Sequence, residues 1–245
     1  MKGLGYFMAN RFTSKVALIT GGTGGLGRAV TLSFLHEGAS VIASYFIKDE
    51  ADAMRDAVGP SAHLELLPLD ATDEAACRAL VDGIVARHGR LDILVNTIGG
   101  YIGGKALWET SPKAFQLMLA LNLHAGYNLA RAAVPAMLRQ KSGAIVNVAA
   151  KAAFEHAAGA AAYAASKSAA LALFDCLAQD VKGQGVRVNS VLPSIIDTEP
   201  NRKAMPDADF SKWPKPEEIA QVILFLCSNE ARLVHGTAIP VYGES

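Results

Sequence analysis

One junction constrains this chain more than any other. The apolar run Val16–Thr20 (VALIT) passes into Gly21-Gly22-Thr23-Gly24-Gly25-Leu26-Gly27 and then into the helical stretch Leu26–His36. Five of the seven residues 21–27 are glycine. Glycine permits positive φ and lets backbone approach a ligand closely. At the start of a helix the free N–H groups then face an anion such as a pyrophosphate. A glycine turn alone means only a tight bend, but between a strand and a helix that open a βαβ unit it marks a dinucleotide site. The candidate cradle is Gly21, Thr23, Gly24, Gly25, Leu26 and Gly27.

The rest of the chain repeats the alternation. Further strands are expected at Val41–Tyr45, His63–Leu67, Leu91–Val95, Ala144–Val148, Val186–Leu192 and Ala238–Val241. Helices are expected at Asp73–Arg87 with Thr72 as N-cap, and from Ser111-Pro112 toward Pro135–Gln140, where the proline is expected to kink the helix. Two more fall at Ala160–Lys182 and Pro216–Leu226. The strands are apolar on both faces, the mark of a parallel sheet covered on both sides. The expected fold is α/β: a single doubly wound parallel sheet of Rossmann type with helices on both faces. One domain is expected over 15–245, after an N-terminal extension at 1–14. Residues 194–216 hold several of the prolines and follow the sixth strand, where a ligand-covering lid belongs in such a fold.

Composition narrows the function classes. Hydrophobic residues make up 51% of the 245 residues, which excludes disorder as the main description. Lys+Arg and Asp+Glu both number 23, and no like-charge block occurs, so the chain is a poor nucleic-acid binder. Cys77, Cys176 and Cys227 have no metal-ligand spacing, so no metal is expected, and their odd number points to a reducing, cytoplasmic setting. The first fifteen residues show no signal-peptide core, and no apolar run is long enough to span a membrane.

The spacing Thr20-Gly21-x-x-x-Gly25-x-Gly27 resembles that of the short-chain dehydrogenase/reductase family, and further motifs follow in the family's order. Asn96-Thr97-Ile98-Gly99 resembles its NNAG segment, with Thr97 and Ile98 as departures. Tyr163-Ala164-Ala165-Ser166-Lys167 is its YxxxK motif, and Pro193 to Thr198 resembles its PGxxxxT segment, with Ser194 replacing the glycine. The resemblance covers about residues 13–243. It implies an NAD(P)-dependent oxidoreductase acting on a small molecule, in a homotetramer or homodimer. It implies catalytic roles for Tyr163, Lys167 and Asn122. It also implies dinucleotide contacts from Tyr45, Asp70, Ala71, Asn96, Gly99, Lys167, Pro193 and Thr198.

Tyr163 and Lys167 lie four apart on an expected helix and so share a face. An ammonium there is expected to lower the phenol's pKa toward working pH. Asn122 in the family helps hold a water that relays protons to the lysine. One family residue is missing: the serine thirteen before the tyrosine is Ala150, next to Ala149. Three readings stay open. The substrate needs less polarisation, another group such as Lys151 replaces the hydroxyl, or the chain only senses a dinucleotide. Leu192–Trp213 also resembles the segment after strand six in dihydropteridine reductases, which likewise carry alanine for the serine. The end of the second strand, Tyr45-Phe46-Ile47-Lys48, has no carboxylate for a ribose 2′-hydroxyl, which favours NADP over NAD. No arginine occupies Gly24, and Lys48 is the nearby cation.

Overall fold

The computed structural model describes residues 10–244. Most of the 1–14 extension and its expected lack of a signal core therefore lie outside the described residues. Seven strands form one parallel sheet: β1 Val16–Thr20, β2 Ser40–Tyr45, β3 Leu64–Pro68, β4 Ile93–Asn96, β5 Gly143–Val148, β6 Val186–Pro193 and β7 Ala238–Val241. Their order is β3-β2-β1-β4-β5-β6-β7. The chain winds outward from β1 to β3, then returns to the other side of β1 at β4. That reversal opens a crevice at the carboxyl ends of β1 and β4, where ligands bind in sheets of this kind.

Helices cover both faces, as the two-sided apolar strands require. Against one face, α1 (Gly25–His36) and α8 (Pro216–Cys227) bury Val30, Phe34, Ile219 and Ile223. Against the other, α3 (Glu74–His88), α5 (Ala125–Gln140) and α6 (Ala161–Asp180) bury Val81, Ile84, Leu129 and Phe174. No helix among the described residues is long and apolar enough to cross a membrane. The three cysteines are free thiols, and no cluster of metal-ligand side chains occurs among the described residues.

The structure adjusts several local expectations. The N-cap of α3 is Asp73, whose carboxylate accepts from the Ala75 and Ala76 amides; Thr72 instead donates to Asp70. The helix entered at Ser111 carries Pro135 inside α5. Its irregularity comes earlier, as a π-helical turn at Ala120–His124 between α4 (Pro112–Leu119) and α5. A further helix, α2 (Lys48–Val58), fills a stretch where none was expected; it buries only Ala51 and Met54. The segment after β6 is less irregular than its prolines imply: Thr198 caps a short helix, α7 (Glu199–Ala204). Beyond it Phe210 and Trp213 pack ring to ring at 4.9 Å.

A polar row crosses the sheet at and just inside its carboxyl edge. Thr20, Asn96, Asn147 and Ser190 stand in register on neighbouring strands, all buried. Thr20 donates to Asn96 Oδ1 (3.1 Å), and Asn96 Nδ2 donates to Asn147 Oδ1 (3.0 Å). Asn147 Nδ2 and Ser190 Oγ meet no partner among the described residues.

Candidate active site

The glycine turn is built from β2 and β4 as much as from its own residues. Ser44 Oγ accepts from the Gly21 amide (3.2 Å) and the Ser44 carbonyl from the Gly22 amide (2.9 Å). From the other side Thr97 Oγ1 donates to the Thr20 carbonyl at 2.7 Å. Gly21 has φ +68°, a conformation that favours glycine, and a Cβ on Gly27 would fall 2.0 Å from the Gly21 carbonyl oxygen. The turn opens α1 with no side-chain cap and no acidic residue in its first turn. Its leading amides therefore lie at the carboxyl crevice without a capping group, as an anion cradle requires. Gly24 is bare on its outer side: a Cβ there would meet nothing nearer than 3.6 Å. Thr198, from the segment after β6, lies over Gly25, where a Cβ would come within 2.8 Å of its methyl group. The cradle and the segment expected as a lid thus meet at one place.

The other sequence-derived contacts divide between two halves of the crevice. Tyr45 ends β2 and is half-buried. Asp70 follows β3, exposed, and its carboxylate accepts from Thr72 Oγ1 (2.6 Å) and the Thr72 amide (2.9 Å), which hold its pKa below the usual carboxylate value. Ala71 is buried, and its carbonyl accepts from Asn128. Asn96 ends β4 and Pro193 ends β6.

Gly99, Asn122, Tyr163 and Lys167 come together on the far half. A Cβ on Gly99 would lie 2.9 Å from Asn122 Oδ1 and 3.0 Å from Lys167 Nζ, so glycine leaves both side chains their room here. Asn122 sits in the π-helical turn and pairs with both backbone groups of Gly100: the amide donates to Oδ1 (2.9 Å) and Nδ2 donates to the carbonyl (3.0 Å). Nδ2 also donates to Ser166 Oγ (2.9 Å), and Ser166 donates to the Tyr163 carbonyl (2.7 Å). A π turn is a frequent device for aiming a functional side chain. Asn122 therefore ties the loop after β4 to the first turns of α6.

Lys167 is buried, and its ammonium donates to the Val148 carbonyl (3.0 Å). Burial pushes its pKa down to about 8. The Tyr163 phenol moves the other way, up to about 12, first through burial and then through Tyr101, whose ring meets it edge-on at 5.0 Å. The expected lowering of the phenol by the lysine is not what this arrangement gives. The lysine's hydrogen bond is spent on the end of β5, and burial penalises the phenolate. At the serine position Ala150 is buried beside Ala149, and neither carries a side-chain donor. Lys151 pairs with Glu155 (3.3 Å) and lies over the Tyr242 ring (5.1 Å).

Three residues at the site escaped the sequence reading. Ser166 and Tyr101 have no motif of their own. Glu50, in the first turn of α2, accepts from Thr23 Oγ1 in the glycine turn (3.1 Å). No helix was expected where it lies, so the sequence reading passed it over. Lys48, expected as a cation for the cofactor, instead pairs with Asp52 one turn along α2.

A doubly wound sheet with an uncapped glycine turn, and a half-buried tyrosine and a buried lysine one turn apart on α6, fits a nucleotide-dependent oxidoreductase. The chain belongs to the short-chain dehydrogenase/reductase family: the family model for short chain dehydrogenase matches residues 15–209. It is 34% identical over 242 residues to the 3-oxoacyl-(acyl-carrier-protein) reductase FabG of Thermotoga maritima, covering 95% of this chain and 98% of that one. It is 32% identical to a meso-2,3-butanediol dehydrogenase of Serratia marcescens, covering 95% of each. Among solved structures, a putative short-chain dehydrogenase/reductase from Burkholderia xenovorans superposes with TM-score 0.84 at 34% identity, over 95% of this chain and 96% of that one. ElxO, solved with NADP bound, superposes with TM-score 0.87 at 27% identity, over 94% and 97%.

Proposed function

We propose that this protein reduces a small carbonyl or quinonoid acceptor with NAD(P)H, with Tyr163 as the general acid. The observation that carries this reading is the gathering of Lys167 and Asn122 at Gly99 and Gly100, with Asn122 tied through Ser166 to the backbone of Tyr163. The bare, uncapped turn fits a dinucleotide: the amides opening α1 take the pyrophosphate, and Lys167 and Asn96 border the nicotinamide half. When bound, the dinucleotide supplies a hydride to the acceptor carbon. The protein's part is then the proton. Tyr163 holds its phenolic proton at neutral pH because its pKa is raised, and gives it to the acceptor oxygen as negative charge builds there. During turnover the Lys167 ammonium meets the phenolate as it forms, a contact that the resting arrangement, with its raised phenol, does not make. Asn122 acts on geometry, fixing Gly100 and, through Ser166, the turn of α6 that carries Tyr163. Residues 194–216 close over the acceptor, with Thr198 as the contact to the cradle.

Ala150 shapes the acceptor class. Losing one donor to a developing oxyanion costs about 3–4 kcal/mol in comparable sites. An electron-poor or conjugated acceptor spreads the incoming charge and needs that donor less. The test is oxidation of NADH and NADPH with a panel of aliphatic ketones, quinones and a quinonoid dihydropterin. Turnover with the conjugated acceptors, lost on the order of 10³-fold in Tyr163→Phe while dinucleotide affinity stays within about threefold, supports the reading. Dinucleotide binding with no turnover on any acceptor makes the protein a sensor on the same fold and ends it.

A further inference from the structure

We propose that Glu50 reads the adenosine ribose of the dinucleotide and makes this protein prefer NADH to NADPH. The inference rests on the reading of the glycine turn as a dinucleotide cradle. The sequence alone pointed to NADP because no carboxylate follows β2 directly. The fold supplies one from the next element: α2 turns back over the cradle and brings the half-buried Glu50 to Thr23. The carboxylate faces the bare side of Gly24, with Oε2 3.8 Å from where a Cβ would stand. In this architecture the adenosine ribose lies between the glycine turn and the end of the second strand.

The chemistry at that point discriminates by charge. Thr23 is the one hydrogen-bond partner of Glu50 among the described residues, so the carboxylate keeps acceptor capacity for a ribose hydroxyl. A 2′-hydroxyl donates to it; a 2′-phosphate brings no donor and sets a second negative group against it. No compensating cation comes from the same helix. Lys48 and Arg55 both bind Asp52, and position 24 carries no side chain. Asp49 also lies in the first turn and already serves the helix start, so Glu50 is not needed there for the dipole alone.

The test is equilibrium binding without acceptor, read by the fluorescence of the reduced nicotinamide. Wild type is expected to bind NADH at least about tenfold more tightly than NADPH, the like-charge contact being the difference. Glu50→Gln should narrow that ratio to within about threefold, mainly by gain of NADPH affinity, and Glu50→Ala should move it the same way. Adding Gly24→Arg, for which the backbone has room, should reverse the preference. Equal or tighter NADPH binding by wild type overturns the proposal. So does an unchanged ratio in both Glu50 variants with a lowered melting temperature, which assigns Glu50 to the fold. Binding of neither dinucleotide refutes the cradle itself, and the proposal with it.

Discussion

Tyr163 and Lys167 both titrate away from their free values because burial penalises a phenolate and an ammonium alike. The consequence for activity has a definite sign. In the proposed mechanism Lys167 works as a cation, and its pKa of about 8 means that the cation is lost as pH rises through that value. For the reduction, kcat/KM of wild type is expected to be level below about pH 8 and to fall about tenfold per pH unit above it; a level profile to pH 10 would remove Lys167 from the proton step. The stability effect runs opposite. The unfolded lysine, near 10.5, binds its proton more readily than the folded one, so this residue makes the apo protein more stable as pH rises from about 8 toward 10.5. Ala150 is the second residue whose identity predicts a measurement. It is buried just past the end of β5, where a serine would add one hydroxyl. Ala150→Ser should raise reduction of an aliphatic ketone on the order of 10²-fold and change a quinonoid acceptor far less. Equal gains on both would show that the missing hydroxyl does not select the acceptor.

Among the elements, the polar row across β1, β4, β5 and β6 makes a second kind of prediction. Asn96 is bonded on both sides, whereas Ser190 is buried with no partner among the described residues. Removing a bonded group strands its neighbours; removing an unbonded one relieves a desolvation cost. Asn96→Ala should therefore lose about 2–3 kcal/mol in denaturant unfolding, and Ser190→Ala should be neutral or gain up to about 1 kcal/mol. A loss at Ser190 as large as at Asn96 would contradict this. The elements also show what a sequence can carry. The seven strands were legible within a few residues because each is an apolar run closed by turn residues, and the glycine turn because its spacing is local. Helix α2 was not, since its buried face is only Ala51 and Met54. That omission hid Glu50, whose place at Thr23 depends on where the whole helix turns back. The π-helical turn was equally hidden. Asn122 reads as an ordinary helix residue until Gly100, twenty-two positions earlier, is brought against its carboxamide. Motifs gave the residue types of the site, and their partners came only from tertiary approach.

At the scale of the whole molecule, α6 carries the site on one side and an unfinished surface on the other. Tyr163, Ser166 and Lys167 face the crevice, and Leu171, Phe174 and Ala178 face the sheet. On the outer side Ala165, Ala172 and Cys176 are exposed, with Ser168 and Ala169 half-buried among them. Small residues three and four apart on a helix leave a shallow track into which a like helix packs closely. Leu117, on α4 packed beside α6, and Tyr127 on α5 are each 43% exposed. We propose that this helix, apolar nearly all round and with large apolar neighbours left in water, is a face for another copy of the chain. Two-fold pairing through it puts α6 against α6, the self-complementary contact that closed homo-oligomers use. We therefore expect a homodimer through α5 and α6, or a homotetramer that repeats a two-fold elsewhere. Ala172→Glu sets a carboxylate against its own copy across that axis. It should reduce the mass seen by light scattering at micromolar concentration to that of the smaller species. The melting temperature of that species should fall with dilution less than that of wild type, because association no longer supports the fold. Wild type that is already monomeric at that concentration would show instead that these apolar groups are simply exposed. An unchanged mass for Ala172→Glu would move the interface to another face of the molecule.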